Sequence, residues 1–233
     1  MATMPVAVAA PFRWYRSSIG KKAVMAVTGT LLVLFVIGHI AGNLKIFEGA
    51  AKIDAYGGFL RVVGAPVFGN EQLLWIIRLG LLACVGLHIL AAVQLTAQNR
   101  AARPVRYARK NELDASLASR TMRWGGALIA VFIVFHILHF TTGTLHPDFH
   151  EGKVYTNVVT GFAKWPLAAA FYIVAMVAVG FHLYHGTWSM FQTLGLRTRQ
   201  NHRPLRIGAT VLSVVFVLAS VAVPVAVVAG FVK

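Results

Sequence analysis

The sequence predicts an all-α integral membrane protein: a bundle of five transmembrane helices, one domain over 1–233, with its N-terminus on the cytoplasmic side. Three observations lead there. Of 233 residues, 58% are hydrophobic and only 12% charged, against about 25% charged in a soluble domain. Five segments each reach the roughly 20 apolar residues that cross a bilayer core as helix. Basic residues gather on alternate loops, as the positive-inside rule requires.

The expected spans are about 21–43, 72–98, 122–143, 166–192 and 205–230. Lipid offers no partner to a free backbone amide, so each must be a helix or a strand of a closed barrel. VMAVTGTLLVLFVIGHIAG (24–42) does not alternate as a barrel strand does. The segment before the first span, MATMPVAVAAPFRWYRSSIGKK, is not expected to be a signal peptide, because its positive charges follow a short apolar part instead of preceding it.

The first helix carries His39, 17 residues beyond Lys22 and so about 25 Å along the helix at 1.5 Å per residue. The second carries His88, the single cysteine Cys84, and Arg78, a charge well inside the span. One thiol cannot hold an iron–sulfur cluster; Cys84 is expected to pack. The third carries FHILHF, with His136 and His139; the fourth carries FHLYHG, with His182 and His185. The fifth offers no polar ligand and reads as a lipid-facing wall, with Pro224 a possible kink. All five tryptophans, Trp14, Trp75, Trp124, Trp165 and Trp188, fall near helix ends, where interfacial aromatics belong.

The net charge of +15 has its explanation in topology rather than in nucleic acid. Residues 1–22, 99–123 and 193–206 hold 15 basic residues against Glu112 and Asp114. By alternation these stretches share one side, the cytoplasmic one, and that basic face also suits an acidic partner. The loop 144–164, with His146 and His150 near Asp148 and Glu151, reads as a solvated loop on the other side.

Ionisable residues at membrane depth are costly and point to function. Histidines on four of five helices form two layers: His39, His136 and His139 in the outer half, and His88, His182 and His185 in the inner half or near the middle. Each layer can present imidazoles from facing helices, which is what a bis-histidine b-type haem requires. Zinc is the weaker reading, since structural zinc takes four protein ligands and the spans offer neither a cysteine cluster nor a carboxylate. Within each pair, residues three apart lie about 60° apart around the helix. Depth alone slightly favours His139 and His185 as ligands.

SSIGKKAVMAVTG (17–29), FVIGHIAGN (35–43), GLHILAAVQLTAQNR (86–100), FHILHF (135–140) and FHLYHGTWSMFQTLGL (181–196) carry a resemblance that covers nearly the whole chain. The protein resembles the cytochrome b membrane anchor of succinate dehydrogenase and fumarate reductase, in the single-subunit family with five helices and two haems. Matched motif to motif, the resemblance implies axial ligands His39, His88, His136 and His182. His39 and His136 would hold the outer, distal haem; His88 and His182 the inner, proximal one. The resemblance thus overrides depth, and leaves His139 and His185 to hydrogen-bond a propionate, a carbonyl or a quinone, or to pack.

The same resemblance implies a subunit with no succinate chemistry of its own, in respiratory complex II of the tricarboxylic acid cycle. Flavoprotein and iron–sulfur partners would sit on the cytoplasmic face of a bacterial plasma membrane. Electrons would pass through two haem b groups to a quinone, menaquinone for a two-haem anchor, and a higher oligomer of the complex is compatible with the resemblance. Trp14, Arg16, Ser17 and Ser18 resemble a quinone-facing start of the first helix, although the serines equally suit a helix N-cap. Arg78 is a candidate for a haem propionate or a quinone oxygen. The competing readings are a cytochrome b of the hydrogenase or formate dehydrogenase type and a cofactor-free transporter; the paired, broken helices expected of a transporter are not visible.

Overall fold

The computed structural model describes residues 14–102 and 117–233. Arg13, Arg103, Arg106, Arg109, Lys110, Glu112 and Asp114 of the basic stretches lie outside the described residues, as does most of the segment weighed above as a signal peptide.

Helix α1 spans Ser18–Asn43. Ser17 caps it: its hydroxyl accepts the Gly20 N–H at 2.9 Å and donates to the Trp14 carbonyl at 2.7 Å, satisfying one of the amides that a helix start leaves without a partner. A 3-10 turn over Leu44–Glu48 and Gly49, at φ 95°, lead into α2, Ala50–Val62. Helix α3, Gln72–Ala101, follows Glu71, a left-handed residue at φ 61°. Such a backbone disfavours a side chain; here Glu71 is held by an ion pair to Arg61 at 3.0 Å and by its amide on the Arg61 carbonyl at 2.6 Å.

Helix α4, Leu117–Phe140, stops three residues short of the expected limit, because Thr142 N–H turns back to the Ile137 carbonyl at 2.9 Å and Gly143 takes φ 73°. The loop expected over 144–164 contains a helix instead, α5, Val154–Ala163. Its VYTNVVTGFA pattern buries Phe162 and Asn157; ten residues are too few to read as a span, so the sequence did not single them out. Helix α6, Pro166–Thr193, starts on proline, which is pre-set for a first helical position. It ends where Gly195 turns at φ 71° and Leu196 N–H reaches the Phe191 carbonyl at 3.0 Å. Helix α7 is His202–Val228 and runs through Pro224.

Among the described residues five helices are long and apolar enough to cross a membrane: Ser18–Glu48 with its 3-10 extension, Gln72–Ala101, Arg120–Phe140, Pro166–Thr193 and His202–Val228. No strand occurs among the described residues. Alternation leaves Arg16, Lys21, Lys22, Arg100, Arg197, Arg199, Arg203 and Arg206 at one end, called the basic end below. Helices α2 and α5 pack together across the far end, joined by the Tyr155 N–H on the Asp54 carboxylate at 2.9 Å.

Helix association in lipid rests on close packing of small residues rather than on the hydrophobic effect. The α6–α7 seam, the most closely packed helix pair, fits this: Ala168, Ala169, Ala175 and Gly180 are buried on α6, and Ala209, Ser213, Ser220 and Ala226 on α7. At Gly180 an added methyl would collide with Val217. The Ser213 hydroxyl donates to the Gly180 carbonyl at 2.6 Å, a contact of roughly 0.6 kcal/mol by analogy with other interhelical bonds in membranes. So α7 is more than a lipid-facing wall: its stripe of Ala209, Ser213, Phe216, Ser220, Val223 and Val227 belongs to the core.

Helix α1 packs on α3, α4 on α6, α6 on α7, and α1 on α6. Neither the pair α1 and α4 nor the pair α3 and α6 packs closely among the described residues.

Candidate functional site

The two loosely packed helix pairs are the ones across which histidines meet. His39 on α1 and His136 on α4 stand with ring centroids 5.7 Å apart and planes at 89°. His88 on α3 and His182 on α6 stand 6.1 Å apart at 58°. A phenylalanine one turn earlier stacks on each outer ring: Phe35 on His39 at 5.2 Å and Phe132 on His136 at 5.6 Å. That F-x-x-x-H spacing puts ring on ring along one helix face. On α6, Tyr172 touches His136 of the outer pair and His182 belongs to the inner one. The layers are therefore about 15 Å apart along the bundle at 1.5 Å per residue.

In the inner layer, His88 Nδ1 lies 3.1 Å from the Thr28 hydroxyl. With that hydroxyl donating to the Val24 carbonyl at 2.7 Å, its oxygen is placed to accept a proton carried on His88 Nδ1. Nε2 is then the basic nitrogen. Gly29 lets α1 come this close: a methyl there would stand 3.3 Å from His88 Cε1. His182 Nδ1 is buried without a hydrogen-bond partner among the described residues. His185 is half-buried and makes no such bond.

In the outer layer, the Tyr172 hydroxyl sits between two histidines, 3.1 Å from His136 Nδ1 and 3.2 Å from His139 Nδ1. It can donate to one and accept from the other. His139 is fully buried, packed against Phe140 at 4.1 Å, His146 at 5.1 Å and Trp165 at 5.9 Å. Within FHILHF, then, His136 faces His39, while His139 turns into an aromatic layer with the far-end segment. His146 leaves its loop to join that layer; its Nδ1 accepts the Asp148 N–H at 3.0 Å and its Nε2 donates to the Asn157 carbonyl at 2.7 Å. Asp148 and His150 stay at the surface with Lys164, at 2.6 Å from Lys164 Nζ and 3.0 Å from His150 Nε2. The Lys164 ammonium holds the Asp148 carboxyl below its ordinary range.

The remaining candidates are scattered. Trp14, Arg16, Ser17 and Ser18 lie exposed at the basic end, with Ser17 committed to the α1 cap. Arg78 stacks over Trp75 at 5.0 Å near the far end. Cys84 is partly buried. The structure adds residues that spacing did not single out. Lys21 is buried, and its ammonium donates to the Arg16 carbonyl at 2.9 Å. Near that end Tyr15 and Gln94 each bury a side-chain oxygen that has no partner among the described residues. Thr28 and Tyr172 escaped notice because a hydroxyl among apolar residues has no periodic signature.

Among the described residues no three His, Cys, Asp or Glu side chains gather to hold a metal ion by themselves. Each layer instead offers two imidazoles across a gap. At metal–imidazole bonds of about 2 Å, two rings on opposite sides of one ion have centroids about 6 Å apart, close to both observed separations. The donor sets thus suit a metal whose other ligands are brought by a planar group between the helices.

Residues 96–222, more than half of the chain, match the family model of the succinate dehydrogenase/fumarate reductase transmembrane subunit. The match contains His136 and His182 and begins after His39 and His88. No curated protein and no solved structure matches the chain.

Proposed function

The chain belongs to the family of succinate dehydrogenase/fumarate reductase transmembrane subunits, and from that premise we propose that it is a two-haem electron-carrying anchor. It is a multi-pass membrane subunit of such a complex. In this reading His39 and His136 hold one b-type haem and His88 and His182 a second. The observation that carries it is that both histidine pairs face each other across helix pairs that do not pack closely. Bound haem supplies a one-electron centre in each layer, between an iron–sulfur partner at the basic end and a membrane quinone, menaquinone.

The chain's own residues orient the ligands. Thr28 fixes the His88 proton on Nδ1 and so presents Nε2. A ligand imidazole with Nδ1–H bonded to a neighbour is held in tautomer and rotation, and becomes more basic. Tyr172 can do the same for His136: its oxygen accepts from His136 Nδ1–H while its own proton goes to His139 Nδ1. His139 is then the support of Tyr172 rather than a ligand. Phe35 and Phe132 keep the outer rings in an apolar setting, where burial tunes the potential.

No succinate chemistry is assigned to this chain. A flavoprotein oxidises succinate and an iron–sulfur subunit hands the electrons over at the cytoplasmic face of a bacterial plasma membrane; the basic end is the docking surface. Arg78, Lys21, Tyr15, Gln94, Arg16, Ser17, Ser18 and Trp14 are the polar groups near the two membrane faces from which a quinone or propionate contact is drawn. The test is to purify the chain with its copurifying subunits and add succinate. Reduction of b-type absorption bands followed by menaquinone-analogue reduction is expected. Bands that dithionite reduces but succinate does not, in a complex whose flavoprotein oxidises succinate, would overturn the reading.

A further inference from the structure

At the basic end, where α6 leaves the membrane and α7 re-enters it, the chain folds a concave pocket of about 550 Å³ lined by Gln192, Arg197, Thr198, Arg199, His202 and Arg203. Three guanidinium groups and no carboxylate face it. Arg197, Arg199 and Arg203 have no acidic partner among the described residues.

The pocket is built rather than frayed. Asn201 ties the connection together, accepting the Thr198 N–H at 2.7 Å and donating to the Leu196 carbonyl at 2.8 Å. Trp188 forms a post beside it: Arg197 lies over the indole at 5.0 Å, and the His202 ring meets its plane edge-on at 4.9 Å. Only eight residues, 194–201, separate the two helices here, so the pocket sits at headgroup depth, where tryptophan also prefers to lie. Leu194, Leu196 and Ile207, exposed at 43%, 54% and 54%, offer apolar surface next to the cations.

Clustered cations beside exposed apolar side chains match a molecule with an anionic head and a hydrocarbon tail. We propose that this pocket binds the phosphate headgroup of an anionic membrane phospholipid. Guanidinium pairs with phosphate oxygens in a bidentate manner, and basic pockets between membrane helices select anionic headgroups. The first turn of α7 adds no acidic residue to oppose it. The proposal needs only that the chain spans a membrane and is independent of the haem reading; it gives these three arginines to lipid and leaves the rest of the basic end, with Arg16, Lys22 and Arg100, to the docking partner.

The full chain, with its copurifying subunits, is placed in phosphatidylcholine vesicles containing phosphatidylglycerol brominated near the headgroup end of its acyl chains, and tryptophan quenching is measured. Brominated phosphatidylcholine in plain phosphatidylglycerol is the reciprocal mixture, and W188F identifies the signal from Trp188. A preference for phosphatidylglycerol of about tenfold or more at Trp188 is expected, falling severalfold in R197Q/R199Q/R203Q and unchanged by added inorganic phosphate. Equal quenching by the two lipids in the unaltered protein would overturn the proposal. Displacement of the lipid by inorganic phosphate would make this a soluble-anion site instead. A preference seen only after the partner subunits are stripped away would make it a protein-docking surface. Each comparison on the unaltered protein stands whether or not the triple variant folds.

Discussion

The Thr28 hydroxyl on α1 stands 3.1 Å from His88 Nδ1 on α3 while donating to its own helix at 2.7 Å. One hydroxyl is thereby placed to accept from Nδ1 and set the tautomer of a membrane-buried histidine. Thr28→Val keeps the shape and removes the acceptor. Haem in the inner layer is expected to be held about 10–100-fold less tightly, the usual cost of losing a bond to a metal ligand. Titrating haem into the apo-variant and following the inner-layer absorption measures it; unchanged affinity would mean that Thr28 does not orient His88.

Gly29 and Gly38 lie on the same helix and separate sterics from folding. A methyl at Gly29 meets His88 Cε1 at 3.3 Å, and one at Gly38 meets nothing within 4 Å. Gly29→Val, whose branches reach further, is expected to displace His88 and lose the inner haem selectively. Gly38→Ala should leave both haems in place. Resolved optical spectra of the two variants check this, and loss of the outer haem in Gly29→Val would refute the assignment of layers.

Tyr172 links His136 to His139. Tyr172→Phe removes the hydroxyl and leaves two buried Nδ1 atoms without their partner, at a cost of about 1–3 kcal/mol for each unsatisfied group. The fold is expected to be less heat-stable and the outer haem to shift in potential, with the inner haem untouched. Redox titration of the variant resolves the two. A shift confined to the inner haem would contradict the proposed role.

At the far end the pH dependence has a definite sign. The Lys164 hydrogen bond and charge lower the Asp148 carboxyl from its ordinary value of 3.8. A carboxyl whose folded value is depressed stabilises the fold above its unfolded value, and that contribution disappears as pH falls through the folded one. Amide exchange in 144–153, corrected for intrinsic rates, should therefore quicken below about pH 4, and less so in Lys164→Met. Because Asp148 is solvent-exposed, the effect is expected to be small.

The five spans were legible because lipid imposes length and apolarity on any helix that crosses it, and the sequence obeys over long runs. The histidine layers were legible for the same reason, since a titratable group stands out at such depth. Within FHILHF depth says nothing of facing, because a helix turns by 100° per residue: depth ranks His139 above His136, whereas in the structure His136 points across the gap toward His39 and His139 toward Phe140 and His146. The α5 helix was not legible, because ten residues packed on a membrane end leave neither a span nor a clear cap. Nor was the core stripe of α7, whose buried serines and alanines look like ordinary lipid-facing sequence until Gly180 is seen beneath them.

The most direct test counts haem per chain by pyridine haemochrome in the purified protein and in three variants. Two b-type haems are expected in the unaltered chain, one in His39→Ala and in His136→Ala, and two in His139→Ala. No haem in folded protein grown with haem available, or loss of a haem from His139→Ala with none lost from His136→Ala, would contradict the two-layer account.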